Sequence, residues 1–262
     1  MAKKVLIIGE SGTGKSASLR NFDASEVLLI NVAGKDLPFR SKGWEIVSTD
    51  NYRTVKQAMA KTNKKVIVID DVQYLMANEF MRRASEKGFD KFTEIGQNFW
   101  DLQQAINALP SDVIVYELSH LDRDQNGNEK VKTIGKLLDE KITVEGMFTI
   151  VLKTTVNDGN YQFQTQNSGH DTCKAPIGLF NNMFIDNDLK AVDSAIREYY
   201  GDEPAPVNVE EPAKVEEPKE APKTLAEKVA DFKNNNPVEE KPATTAAPVE
   251  TADATPRRRR RV

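Results

Sequence analysis

A glycine-rich loop directly after a short apolar run most constrains what this chain can fold into. The apolar run, Val5 to Ile8, is typical of a buried β-strand. The following residues have the spacing Gly-x-x-x-x-Gly-Lys-Ser of a phosphate-binding loop: Gly9, Glu10, Ser11, Gly12, Thr13, Gly14, Lys15 and Ser16. In such a loop, backbone N–H groups surround phosphates, the lysine contacts the β- and γ-phosphates, and the hydroxyl contacts Mg²⁺. A helix beginning near Lys15 should point its positive end at the same phosphates, whereas an ordinary glycine-rich turn is the alternative interpretation.

A second apolar run, Val66 to Ile69, ends in the two carboxylates Asp70 and Asp71. Ligands of open α/β sheets bind beyond the carboxyl ends of the strands. Asp70 is therefore predicted to hold Mg²⁺ together with Ser16, as P-loop NTPases do. Asp71 is predicted either to orient or deprotonate an attacking water or to cap the next helix. The simplest alternative is that both aspartates only cap that helix.

A third strand, predicted at 112–120, ends in Ser119 and His120 at the same sheet edge as Asp70. Ser119 and His120 are thus candidates to contact the γ-phosphate or the water, with a purely structural histidine as the alternative for His120. Asp71 and His120 are the two catalytic candidates of the chain.

The remaining periodicities predict an α/β fold with a mainly parallel sheet flanked by helices. Further strands are expected at 26–32 and 44–47. A polar loop is expected at 121–130, either as a mobile element that contacts DNA or a partner or as a hairpin tip. A β-hairpin around Asp158-Gly159 joins runs at 147–156 and 161–165. Helices are expected at 51–61, 75–109 with breaks near Gly88 and Gly96, 131–142 and 188–200.

Composition divides the chain into a globular domain, residues 1–200, and a tail, residues 201–262. Nine of the twelve prolines follow Gly201, and residues 202–253 carry thirteen acidic against six basic residues. Such a segment has too little apolar surface to fold, so the tail is predicted to be disordered. Within it, 224–233 has apolar residues at helical spacing, typical of a short helix that folds onto a partner or of an idle hydrophobic patch.

The chain ends in a run of basic residues that can bind nucleic-acid phosphates by counterion release: Arg257, Arg258, Arg259, Arg260 and Arg261. The alternative is that this basic end folds back on the acidic tail. The overall net charge of −4 does not itself indicate a nucleic-acid binder.

Several classes are disfavoured by what the sequence lacks. The single cysteine, Cys173, fits a reducing compartment, and no apolar run approaches the ~18 residues that span a bilayer. A cytoplasmic protein without a signal peptide or a membrane partner is therefore expected. A GTPase would need a base-reading Asn- or Thr-Lys-x-Asp motif, and a small-molecule kinase an arginine-rich lid, and neither pattern is found.

With both motifs placed, residues 1–190 resemble the small RecA-like P-loop ATPases of bacteriophages, also called phage nucleotide-binding or AAA-domain proteins. Their relatives include the short RecA-core single-strand annealing proteins of the Sak group. Besides the loop and the strand ending at Asp71, the resemblance rests on softer matches at 80–82, 88–91, the strand ending at His120, and 174–180.

The resemblance implies a RecA-type sheet, ATP and Mg²⁺ as cofactors, and a homo-oligomer in which a basic group reaches the neighbouring subunit's nucleotide. It also implies a role in phage DNA recombination, single-strand annealing, repair or replication, in the host cell cytoplasm. RecA-like enzymes usually carry a catalytic glutamate after the second strand, but residues 31–36 contain none. A weak or DNA-stimulated ATPase is therefore expected, with Asp71 or another carboxylate as the substitute.

Two functions follow from these observations. The first is an ATP-dependent DNA-metabolism protein that binds single-stranded DNA. The second is a nucleotide-gated assembly or adaptor protein with little ATP turnover, whose tail recruits a single-strand-binding protein or another replication partner.

Overall fold

The computed structural model of the chain describes residues 1–201, apart from the side chains of residues 139 and 140. The predicted tail, with its helical segment 224–233 and its five C-terminal arginines, lies outside the described residues. Among residues 1–201, no helix is both long enough and apolar enough to cross a membrane.

The described residues form nine strands, four α-helices and three shorter helical segments. The strands are β1 Lys3–Gly9, β2 Val27–Asn31, β3 Glu45–Ser48, β4 Val66–Asp70, β5 Ile114–Arg123, β6 Glu129–Val131, β7 Ile150–Asn157, β8 Asn160–Gln164 and β9 Phe184–Asp186. The α-helices are α1 Tyr52–Lys61, α2 Gln73–Arg82, α3 Asp90–Asn107 and α4 Leu189–Tyr200. The shorter segments are the 3₁₀-helices Ser16–Asn21 and Val144–Met147 and the π-helix Leu137–Ile142.

One sheet runs through the domain in the order β3-β2-β4-β5-β1-β7-β8-β9, and β6 pairs with β5. Strands β3, β2, β4, β5, β1 and β7 are parallel, whereas β8 and β9 add antiparallel pairs. The register aligns Gly9 with His120 and Asn31 with Asp70. The carboxyl ends of β1, β2, β4 and β5 therefore meet at one edge, and the predicted α/β fold is confirmed.

Apolar side chains of β1 alternate between two cores, because successive residues of a strand point to opposite faces. Leu6 and Ile8 pack in the core that α1, α2 and α3 cover, while Val5 and Ile7 pack in the core that α4 covers. Both faces of the central strands are thus buried, as continuously apolar parallel strands require. Ligand access is left to the strand ends.

Most predicted elements are confirmed to within a few residues. The α2–α3 break lies at the predicted Gly88, whose φ of 95° is a conformation that glycine adopts readily. The predicted hairpin is formed by β7 and β8. Asn51 and Asp188 accept hydrogen bonds from the first turns of α1 and α4, which explains why those helices begin there.

Other predictions need correction. Gly96 does not break a helix but lies inside α3, where a Cβ would come 3.1 Å from Leu137 Cδ2; a glycine there allows the close approach. The helix predicted at 131–142 is instead the end of β6 followed by the short π-helix. Residues 121–130 form the β5–β6 hairpin, the second of the two forms expected for them, and strand β9 was not predicted.

The helix expected after the phosphate-binding loop is only a six-residue 3₁₀-helix, Ser16–Asn21. Such a short segment has a small macrodipole. An anion at this loop would therefore be held by the loop's own N–H groups and by Lys15 rather than by a helix end.

Candidate nucleotide-binding site

A cleft of about 360 Å³ opens at the carboxyl edge of the sheet. The glycine-rich loop contributes Ser11, Gly12, Gly14, Lys15 and Ser16 to its lining. Side chains from four more segments also line it: Lys35, Asp70, Asp71, His120 and Tyr161. The sheet thus brings the predicted loop, both aspartates and the histidine together.

The loop has the backbone conformation that its glycines allow. Gly12 and Gly14 have φ values of 80° and 95°, in the left-handed region that favours glycine. At Gly9 the constraint is space, because a Cβ would lie 1.9 Å from Thr154 Oγ1 on β7. The main chain can therefore approach β7 closely while its loop stays open to the cleft.

Lys15 lies across this loop with its ammonium group over the main chain. Its Nζ donates hydrogen bonds to the carbonyl oxygens of Gly9, at 2.9 Å, and Glu10, at 2.7 Å. The residue is 7% exposed, and burial lowers the pKa of the ammonium group. The charge is held where the pattern predicts that phosphates bind.

Two loop side chains turn away from the cleft. Glu10 pairs with Arg123 of the β5–β6 hairpin, with 2.7 Å between Oε1 and Nη2. Thr13 Oγ1 lies 2.5 Å from Thr154 Oγ1 and donates to the Glu10 carbonyl. Glu10 and Thr13 therefore connect the loop to its neighbouring strands, so any contact that they make with a phosphate comes from their backbone.

Ser16 and Asp70 place a hydroxyl and a carboxylate next to each other beside the loop. Ser16 Oγ donates to Asp70 Oδ1 at 3.0 Å. Burial of the Asp70 carboxyl, and then the charge of Asp71, raise its pKa to about 6. Hydroxyl and carboxylate oxygens suit Mg²⁺, which typically uses one or two carboxylates and completes its shell with waters and substrate phosphates. The described residues contain no cluster of three or more His, Cys, Asp or Glu that could hold a metal alone, and a phosphate-completed site needs none.

Asp71 is the most constrained residue of the cleft. Its φ of 60° is uncommon for a residue other than glycine and costs roughly 1–3 kcal/mol. The carboxylate is buried between two partners, with Oδ2 2.5 Å from Lys35 Nζ and Oδ1 3.4 Å from His120 Nε2. It does not cap α2, whose N-cap is Val72 with no side-chain cap bond; the capping interpretation of Asp71 is therefore wrong.

His120 ends the part of β5 that pairs with β1 and is partly buried. Burial, and then the charge of Lys15, lower the pKa of its imidazole, so His120 is neutral at pH 7. Its backbone N–H donates to Gln73 Oε1 at 3.2 Å. The preceding Ser119 is fully buried and its hydroxyl bonds to the His120 carbonyl, so Ser119 is not part of the cleft.

Lys35 was not predicted as a site residue. It lies in the segment after β2, for which the sequence predicted only the absence of a catalytic glutamate. Asn31 shapes this turn, since its side chain donates to the Lys35 carbonyl and accepts from the Gly34 N–H. The bond to Asp71 raises the pKa of Lys35. The sequence could have indicated Lys35, because a polar residue that follows a parallel strand can lie at the carboxyl edge of the sheet, where ligands bind.

Tyr161 and Asn187 were also missed. Tyr161 lines the cleft from the start of β8, and Asn187 lies directly after β9, against Gly14. No local motif marks either residue, because their position depends on β7, β8 and β9 following β1 in the sheet.

The loop, the sheet order and the two carboxylates together define a domain of the P-loop NTPase type. The family described as AAA domain matches residues 1–175 of the 262-residue chain. The chain belongs to this family, and an AAA domain implies nucleotide binding. Comparison with curated proteins finds no similar sequence.

Proposed function

We propose that this protein binds ATP with Mg²⁺ in the cleft and hydrolyses it slowly. The observation that carries the proposal is the Ser16–Asp70 hydrogen bond beside a loop over which Lys15 is held. Lys15 would contact the β- and γ-phosphates, and Ser16 and Asp70 would hold the Mg²⁺. The ion, when bound, would supply positive charge that offsets the charge of the phosphates.

Asp71 is the proposed acceptor for the proton of the attacking water. His120 is the proposed neighbour that orients this water. A general base needs an available carboxylate, but here Lys35 Nζ lies 2.5 Å from Asp71 Oδ2. This ion pair lowers the basicity of Asp71. An incoming γ-phosphate would compete for the Lys35 ammonium group and free the carboxylate, so we expect turnover to be slow until that exchange occurs.

We further propose that the protein acts in phage DNA metabolism as a homo-oligomer that binds single-stranded DNA. The support lies in the sequence: five consecutive arginines, Arg257 to Arg261, and the resemblance to RecA-like phage ATPases. The alternative is a nucleotide-gated adaptor with negligible turnover, whose tail recruits partners. The Lys35–Asp71 ion pair and the missing glutamate favour that alternative.

The decisive measurement is ATP hydrolysis by the full chain with and without single-stranded DNA, alongside ATP binding by calorimetry. A matched variant replaces Arg257 to Arg261 with alanine and keeps the described domain unchanged. DNA-stimulated turnover that this variant loses supports the DNA role. ATP binding without turnover in either condition supports the adaptor. Absence of ATP binding contradicts both.

A further inference from the structure

The cleft extends past the glycine-rich loop on the side away from the carboxylates. In the sheet, β5 and β4 lie on one side of β1, whereas β7, β8 and β9 lie on the other. If Asp70 helps to hold Mg²⁺ and Asp71 accepts the proton of the attacking water, the γ-phosphate lies at the end of β4, where both residues are. The rest of the nucleotide must then extend toward β8 and β9. This step rests on the proposed function.

Tyr161 occupies that second side. It is the second residue of β8 and lies opposite Val156 across the hairpin. Its ring approaches the loop so closely that a Cβ on Gly14 would come 2.9 Å from Tyr161 Cδ1. Half of the residue nevertheless remains exposed, so the ring contacts the phosphate-binding loop and still offers surface to a ligand.

Asn187 lies beside Tyr161 with an unused donor. It is 2% exposed, and its Nδ2 has no hydrogen-bond partner among the residues that the structure describes. Its backbone N–H donates to the Tyr161 carbonyl, and its own carbonyl accepts from Arg20 at 2.6 Å. Both atoms of the amide would lie 3.2 Å from a Cβ on Gly14. Arg20 Nη1 also donates to Asn187 Oδ1 at 3.5 Å. Asn187 is therefore held between Arg20, Gly14 and the Tyr161 backbone, where it fixes the position of Tyr161 against the loop.

We propose that Tyr161 and Asn187 form the nucleoside subsite of this cleft. The Tyr161 ring stacks on the nucleobase, and the buried Asn187, which lies against Gly14 and donates its backbone N–H to the Tyr161 carbonyl, positions that ring. Every base has a π-face, so stacking on Tyr161 tolerates different bases. The subsite therefore holds a nucleoside triphosphate in place without selecting strongly among bases.

The test compares ATP with inorganic tripolyphosphate, each with Mg²⁺, by calorimetry on the full chain. Tripolyphosphate keeps the phosphates but has no nucleoside. Removing a stacking ring typically weakens binding about fivefold to a hundredfold. We expect Tyr161→Ala to lose that much affinity for ATP and to keep its tripolyphosphate affinity within about twofold, while Tyr161→Phe keeps both.

Asn187→Ala is expected to weaken ATP binding severalfold and leave tripolyphosphate binding unchanged. Tyr199→Ala is the matched control, since Tyr199 is 44% exposed near the end of α4. It should bind both ligands like the wild type.

Three results would overturn the inference. Unchanged ATP affinity in Tyr161→Ala removes the stacking role. Equal weakening of ATP and tripolyphosphate means that Tyr161 only supports the loop. If the wild type binds tripolyphosphate and binds ATP no more tightly than tripolyphosphate, no nucleoside subsite exists. A wild type that binds neither ligand instead contradicts the proposed function itself.

Discussion

The two sides of β1 differ in how they would treat a ligand. On the β4 side, charged groups are concentrated: Asp70 and Asp71 are buried, and the exposed Lys35 pairs with Asp71. On the β7 side, the side chains that face Gly9 and Gly14 are uncharged: Thr154, Tyr161 and Asn187. Phosphates and a metal ion require charge, whereas a nucleoside requires a ring contact and hydrogen bonds. The glycine-rich loop separates the two chemistries.

The same difference shows in the backbone. Asp71 holds a φ of 60° on the charged side, whereas on the other side Gly9 permits close packing against Thr154. Strain in a residue other than glycine is retained where surrounding contacts over-determine it. At Asp71 those contacts are the ion pair with Lys35 and the neighbouring imidazole of His120.

Lys15→Ala should have the largest effect, because Lys15 would contact the phosphates that ATP and tripolyphosphate share. Losing two or more charge-assisted hydrogen bonds, at about 1.5–3 kcal/mol each, predicts at least a roughly hundredfold loss of ATP affinity. Tripolyphosphate should weaken equally, as measured by calorimetry. Lys87→Ala, on an exposed lysine, is the control. Retained affinity in Lys15→Ala would mean that the loop is not a phosphate site.

Asp71→Asn probes the charged side alone. Loss of a general base typically costs about 10²–10⁴ in rate, so turnover should fall at least about a hundredfold while ATP affinity changes less than about threefold. The assay is phosphate release under saturating ATP. Asp36→Asn, an exposed carboxylate lining the same cleft, is the matched control and should be nearly silent. Equal losses of turnover in both variants would mean that the negative charge of the cleft as a whole, and not Asp71 as a base, determines the rate.

Gly9→Ala probes the packing on the β7 side. Its Cβ would lie 1.9 Å from Thr154 Oγ1, so overpacking should lower the free energy of unfolding by about 1–3 kcal/mol. Chemical denaturation followed by circular dichroism measures this. Adding Thr154→Ala should recover part of the loss, because the clashing hydroxyl is removed. Gly9→Ala with wild-type stability would contradict the close contact between the loop and β7.

Glu117→Gln is expected to have the smallest effect on ligand binding, because Glu117 does not line the cleft. Glu117 is fully buried in β5, accepts a bond from Gln103 at 2.7 Å, and its pKa is raised by burial from 4.5 to about 7. Between these values the folded state binds more protons than the unfolded state, so stability falls as pH rises through this window. The variant should be more stable than the wild type by about 1–3 kcal/mol at pH 8 and equal to it near pH 4.

Denaturation at both pH values checks this, with exposed Glu45→Gln as the control. The same pH slope in wild type and Glu117→Gln would show that Glu117 is not its source. The raised pKa of Asp70 would then be the better source, because burial acts on it too.

The loop and the Ser16–Asp70 pair could be predicted from sequence because each signal is local. A strand pattern followed at fixed spacing by glycines, a lysine and a hydroxyl needs no knowledge of the rest of the chain. Asp70 needed one further rule, that ligands bind at the carboxyl ends of parallel strands. Local periodicity gave wrong predictions at Gly96 and at residues 131–142. It contains no information on how Leu137 packs against α3.

The sequence by itself determined the class of fold, the phosphate-binding loop and the strand that carries Asp70. Only the tertiary structure decided that Lys35 reaches Asp71, that Asp71 does not cap α2, and that Tyr161 and Asn187 meet Gly14. These contacts join residues far apart in the chain, and they follow from the order and register of strands in the sheet. No window of the sequence contains that order, because it is set by the packing of the whole domain.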